Sequence, residues 1–135
     1  MAVQLSVAVR NGRLDAIETV IGTSAVLKIR TGAQPADCAT ADSGTVLATI
    51  TLPSDWAAAA SGGSKAKSGT WQDLTADATG TAGHYRLYAS DGTTCHEQGS
   101  ITATGGGGDL TLDNTSIATG QTVTITTWTK TDGNA

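Results

Sequence analysis

Apolar residues near the start of the chain recur at helical spacings, and Gly22 follows the last of them as a helix stop signal. The pattern predicts a helix from Val3 to Ile21, in which Gly12 is the position most prone to a kink or break. The recurring positions share one helix face, which we treat as a candidate protein interface. This predicted stripe consists of Val3, Val7, Arg10, Leu14, Ile17 and Ile21.

After Gly22 the hydrophobic period changes from helical to alternating. Residues 25–30 and residues 46–52 alternate apolar with polar or small side chains, which predicts two strands, and Pro53 ends the second of them. Residues 31–44 between them are rich in glycine, proline, aspartate and small residues. This composition predicts a long surface loop.

Further short strands are predicted around Trp71, at residues 110–112 and at residues 123–125, with a frayed tail from Thr131. Residues 56–67 are ambiguous between a helical turn and a strand. Counting all the candidates gives about seven or eight strands, which favours a mainly β fold, namely an antiparallel sandwich or jelly roll with one N-terminal helix. We therefore expect a helix within residues 1–22, acting as an assembly arm or as a cap, and a sandwich domain over residues 23–135.

Asp91-Gly92 gives the clearest local signal, because it lies between two strand-like runs. An Asp-Gly pair favours a two-residue type I′ hairpin, in which both central residues have positive φ. In that register residues 85–88 face residues 95–98, with Tyr88 opposite Cys95. Arg86 then lies opposite Glu97, and we expect a cross-strand ion pair.

Composition and charge narrow the possible partners. The chain has 135 residues, a net charge of −4 and a pI near 4.8, which does not suit neutralisation of nucleic acid phosphates. It shows neither an apolar run of bilayer length nor a signal peptide pattern, so we expect synthesis in a cytoplasm and no membrane partner. Cys38 and Cys95 are its two cysteines, and free buried thiols are favoured over a disulfide in a reducing compartment.

The residues that could carry catalytic chemistry do not form a recognisable motif. His84 and His96 are the two imidazoles, and the predicted hairpin points them to opposite faces. Asp109 and Asp113 share a strand face but lack a calcium-binding loop around them. We therefore predict no enzymatic activity, no metal, no cofactor and no small-molecule substrate.

Three tryptophans dominate the small aromatic content, which is 4% of the residues. They could fill the core, or they could form a sugar-stacking platform or a protein-binding hot spot. These tryptophans are Trp56, Trp71 and Trp128.

Three segments resemble small glycine- and threonine-rich proteins encoded among the virion genes of tailed bacteriophages. These segments are residues 5–18, Gly83 to Tyr88 and residues 105–125. The resemblance implies a structural virion protein assembled in the host cytoplasm, such as a capsid cement or decoration protein. Its expected partners are the major capsid protein, or another virion protein, and its own copies in a dimer or trimer. A head–tail connector, another tail component or a carbohydrate-binding module at the tail are the alternatives.

Overall fold

The computed structural model describes residues 3–133, which form one helix and ten short strands. The expected domains 1–22 and 23–135 also include Met1, Ala2, Asn134 and Ala135, which lie outside the described residues. In chain order the elements are α1 (Val7–Ile21), β1 (Val26–Thr31), β2 (Val46–Thr51), β3 (Ser64–Ala66), β4 (Trp71–Asp73), β5 (Gly80–Tyr88), β6 (Cys95–Ala103), β7 (Leu110–Leu112), β8 (Ser116–Ile117), β9 (Val123–Ile125) and β10 (Thr129–Thr131).

Helix α1 begins one turn later than the sequence predicts. Ser6 is the N-cap, and its hydroxyl oxygen accepts a hydrogen bond from the Val9 backbone N–H at 3.2 Å. The N-cap satisfies one of the first free N–H groups, so the helix starts after Ser6 and residues 3–6 lie outside it. Gly22 ends the helix at φ 89°, as predicted, and the helix runs through Gly12 without a break.

The main sheet has the strand order β2-β1-β5-β6-β7, and β8 pairs with the start of β5. All of its pairs are antiparallel except β6 with β7, so the prediction of a purely antiparallel sheet is wrong. Gly105 and Gly107 have positive φ, at 88° and 82°. They let the chain turn back over a short connection and run beside β6 in the same direction, with Leu110 opposite Ile101.

The β5–β6 hairpin forms, but its turn and register differ from the prediction. Gly92 has a positive φ and Asp91 does not, so the connection is not type I′. Tyr88 faces Cys95 as expected, but a bulge then shifts the pairing by one residue. Arg86 consequently faces Gln98, and the predicted Arg86–Glu97 ion pair is wrong.

Two small sheets pair β3 with β10 and β4 with β9, and Trp71, Val123 and Ile125 of the second pair join the same buried cluster as the main sheet. Trp56, Trp71 and Trp128 meet in this core with ring centroids 5.5–6.0 Å apart, so core filling is the correct one of their two interpretations. Thr131 lies in a strand rather than in a frayed tail. The fold is thus mainly β with one helix, as predicted.

Candidate interaction surface

Helix α1 lies against its own β domain through the C-terminal half of the predicted stripe. Leu14 and Ile21 are buried, and Ile17 packs against the core cluster. These three side chains are therefore covered by the chain itself in this conformation. The N-terminal half of the stripe differs, because Val3 and Val7 remain exposed.

A buried lysine holds the same helix by charge. Lys65 on β3 is 1% exposed, and its Nζ lies 2.8 Å from Asp15 Oδ1 and 3.1 Å from Glu18 Oε2 on α1. It also donates to the Ala58 carbonyl oxygen at 2.9 Å. All three donor positions of the ammonium group thus have partners, as a buried charge requires.

The ion pair shifts the pKa of both partners in the direction that favours their charged forms. The hydrogen bond from Lys65 lowers the pKa of Asp15, and the backbone N–H of Ala60 adds to the effect. Burial alone would lower the pKa of Lys65, but hydrogen bonds to Asp15 and Glu18 outweigh it and raise that pKa. Both groups are therefore charged across the physiological pH range.

Further polar contacts attach the helix to the domain. The Gly63 N–H donates to Asn11 Oδ1 at 2.8 Å, in the turn that precedes β3. Arg10 Nη1 donates to the Asp132 carbonyl oxygen and Arg13 Nε lies beside the Asp132 carboxylate, both at 3.1 Å. Arg10, a predicted interface residue, thus serves to attach α1 to the end of β10. The helix is fixed on the domain and is not a free arm in this conformation.

The N-terminal segment carries most of the exposed large apolar side chains. Across residues 3–133 five such side chains are exposed, and four of them belong to residues 3–20. The fifth is Leu74, which is 66% exposed. The four are Val3 (80%), Val7 (46%), Val9 (47%) and Val20 (67%).

Val9 and Val20 share one side of the helix, because eleven residues are about three turns. Arg13 and Ala16 lie between them on that side. This second stripe was not predicted from the sequence, because the helical period through Leu14 and Ile21 is stronger. The eleven-residue spacing of the two valines was the signal that could have found it.

A groove of about 410 Å³ runs between this side of α1 and the β5–β6 hairpin. It mixes apolar helix residues with one basic, one acidic and one imidazole side chain, so it suits a protein surface with both apolar and polar groups. We define the outer surface of α1 as Val9, Arg13, Ala16 and Val20. The groove is lined by Arg13, Ala16, Ile17, Val20, Ile21, His96 and Glu97.

The two histidines occupy different environments. His84 is fully buried, and its Nδ1 lies 2.8 Å from the Gly32 carbonyl oxygen. His96 is exposed at the bulge of β6. The structure therefore does not bring the two imidazoles together.

The remaining polar candidates have structural partners. Asp109 accepts hydrogen bonds from the Ser100 N–H and hydroxyl at 2.9 and 3.0 Å, which lowers the pKa of Asp109. Asp113 lies 3.4 Å from the Thr104 hydroxyl. Within residues 3–133, no three histidine, cysteine or acidic side chains are grouped as a metal site would need.

Comparison with known proteins found no matching family model, no matching curated protein and no matching solved structure. In the described part of the chain, α1 is too short and too polar to cross a bilayer.

Proposed function

We propose that this chain is a non-enzymatic structural protein of a bacteriophage virion that acts through the outer surface of α1. The single observation that supports this role most is the concentration of exposed valines on the N-terminal segment. Exposed large apolar side chains that share one side of a helix, as Val9 and Val20 do here, can mark a site of interaction. The resemblance of three segments to virion proteins supports the same role.

The way α1 is held also suits an interface. The buried Lys65 and the contacts from Asp132 fix the helix before any partner arrives. A fixed surface loses little conformational freedom on binding, so more of the contact energy appears as affinity. Val9 and Val20 can then bind a partner without refolding of the domain.

In this proposal the partner of α1 is the major capsid protein, and the chain is a cement or decoration protein of the head. Such proteins stabilise a shell by adding contacts at many equivalent positions, which multivalency strengthens. A dimer or trimer would multiply the number of α1 surfaces that one assembly presents.

We further propose that the domain is a sandwich of two layers. The pairs β3–β10 and β4–β9 would form the layer opposite the main sheet, with the three tryptophans between the layers. Support comes from the single buried cluster that joins Trp71 and Ile125 to Leu27 and Ile50. This arrangement would give α1 a rigid base.

The test adds purified protein to virions of the parent phage from which this protein has been deleted. Wild type is expected to bind in stoichiometric amounts and to increase the heat resistance of the particles. The double variant Val9→Asp/Val20→Asp is expected to bind at least tenfold more weakly, because it places charges in an apolar contact. Leu74→Asp is the control, since Leu74 is as exposed as Val20 but lies outside α1.

Three outcomes would contradict parts of this proposal. Absence of the chain from gradient-purified wild-type virions, measured by mass spectrometry, would remove the virion role. Full binding by the double variant would show that the outer surface of α1 is not the contact surface. Electron microscopy of decorated particles that located the chain at the connector or tail would replace the head assignment.

A further inference from the structure

Cys38 and Cys95 are 57 residues apart in the sequence, but their Sγ atoms lie 2.8 Å apart. We propose that these two cysteines form an intramolecular disulfide, which joins the loop at residues 32–45 to strand β6. A disulfide needs sulfurs about 2.05 Å apart, so closure requires only a sub-ångström approach. The free thiols expected from the sequence are, in this view, the reduced form of the pair.

The loop positions Cys38 through its neighbours. Arg86 Nη2 donates to the carbonyl oxygens of Asp37 and Thr40, at 2.7 and 2.9 Å. Gln98 Nε2 donates to the Pro35 carbonyl oxygen at 2.7 Å. The backbone on both sides of Cys38 is thus attached to the β5–β6 hairpin, and the thiol is held in place before any bond forms.

The bulge in β6 positions the second cysteine. Gln98 and Cys95 are three residues apart, and in a regular strand they would point to opposite faces. The shift beside Tyr88 adds one residue, so both side chains reach the loop: Gln98 donates to the Pro35 carbonyl oxygen and Cys95 contacts Cys38. Without the bulge, Cys95 would face away from its partner.

The oxidant in this proposal is a small-molecule disulfide such as glutathione disulfide. The Cys38 thiolate attacks one glutathione sulfur and releases a glutathione thiolate. The Cys95 thiolate then attacks Cys38 Sγ, forms the protein disulfide and releases the second glutathione thiolate. The protein loses two electrons, glutathione disulfide gains them, and the two thiol protons end on two glutathione molecules.

The order of these steps follows from the environment of Cys95. Burial and the adjacent Cys38 thiol raise the pKa of Cys95 to about 12, so its thiolate is scarce at neutral pH. Cys38, on the loop, therefore reacts first and Cys95 acts as the resolving thiol. The second step should accelerate as the pH rises from 7 to 9, because burial disfavours the Cys95 thiolate at neutral pH.

The experiment incubates reduced wild-type protein with glutathione disulfide, blocks the remaining thiols by alkylation, and measures intact mass and melting temperature. We expect a product that has lost two hydrogen atoms, carries no alkyl group and yields a linked peptide pair containing Cys38 and Cys95. Because the bond closes a loop of 57 residues, the melting temperature should rise by roughly 10 °C over the reduced form.

Single variants test the roles of the two thiols. Cys95→Ser should accumulate the Cys38–glutathione adduct, and neither single variant should form the internal bond. Wild type needs no substitution, so the comparison of its oxidised and reduced forms stands even if a variant folds poorly. Two glutathione adducts or covalent dimers in place of the internal bond would overturn the proposal, and so would an unchanged melting temperature after full oxidation.

Discussion

Arg86 and Asp42 form the shortest ion pair described in residues 3–133, with Nη1 2.6 Å from Oδ1. Only 2% of the Arg86 side chain is exposed, compared with 39% of the Asp42 side chain. Asp42 also lies 3.1 Å from Arg30 and accepts a hydrogen bond from the Tyr88 hydroxyl at 2.7 Å. One loop carboxylate therefore pairs with two arginines of the main sheet.

The substitution Asp42→Asn should destabilise the protein by about 2–3 kcal/mol. Removing one partner of a buried ion pair costs about 3–5 kcal/mol, and water at the exposed part of Asp42 reduces that figure. Urea unfolding at pH 7 measures the change. Asp55→Asn, at an exposed aspartate, is the matched control and should change stability by less than about 0.5 kcal/mol. Equal effects of the two substitutions would contradict the role of Asp42.

Stability should fall as the pH drops below about 3.8, the ordinary pKa of aspartate. Burial opposes ionisation of Asp42, but hydrogen bonds from Tyr88 and Arg86 outweigh it, so the pKa of Asp42 is lowered. A lowered pKa in the folded state gives stability that is fully present above the unfolded value and is lost as the pH falls through the folded value.

Urea unfolding at pH 7, 4 and 2.5 follows this loss. Asp42→Asn should show a smaller loss between pH 4 and pH 2.5 than wild type, because the variant lacks this carboxyl group. The hydrogen bonds of Ser100 to Asp109 lower the pKa of that carboxyl as well, so some loss should remain in the variant. If wild type and variant lost the same stability between pH 4 and pH 2.5, Asp42 would not contribute to the pH dependence.

Two glycine substitutions should have opposite effects. A Cβ at Gly83 would overlap the Gly32 carbonyl oxygen, so Gly83→Ala must displace backbone and should cost about 1–3 kcal/mol or more. A Cβ at Gly12 would meet no atom within 4 Å, and alanine favours a helix by about 1 kcal/mol over glycine. Gly12→Ala should therefore raise the urea midpoint while Gly83→Ala lowers it. A stabilised Gly83→Ala protein would show that this contact is absent in solution.

Tryptophan fluorescence should report a buried cluster. The three rings are at most 2% exposed, so iodide should quench native emission weakly and the unfolded protein strongly. Host glycans should leave the emission unchanged, because no ring is open for stacking. Strong quenching of the native protein, or a glycan response, would revive the carbohydrate-binding alternative.

Local patterns predicted much of the fold. Alternation identified β1 and β2, Gly22 marked the end of α1, and the Tyr88–Cys95 pairing followed from the turn. These features depend on neighbours along the chain, which a sequence pattern records directly.

The errors arose where distant segments meet. One extra residue at the bulge places Arg86 opposite Gln98 instead of Glu97. The ion-pair partner of Arg86 is the carboxylate of Asp42, which lies in a loop 44 residues away in the sequence. The parallel pairing of β6 and β7 depends on a glycine turn whose direction the composition does not specify. Likewise, the inward side of α1 depends on Lys65 and Asp132, which no helical period can identify.

The attachment of Arg10 to Asp132 also bears on how the protein is made, since 122 residues separate the two positions. Ribosomes add roughly 5–20 residues per second, so the helix emerges roughly 6–24 s before its last anchoring residue. During that interval Leu14, Ile17 and Ile21 lack part of their final cover. The last contacts of α1 therefore form late in biogenesis, although the helix precedes every described strand in the chain.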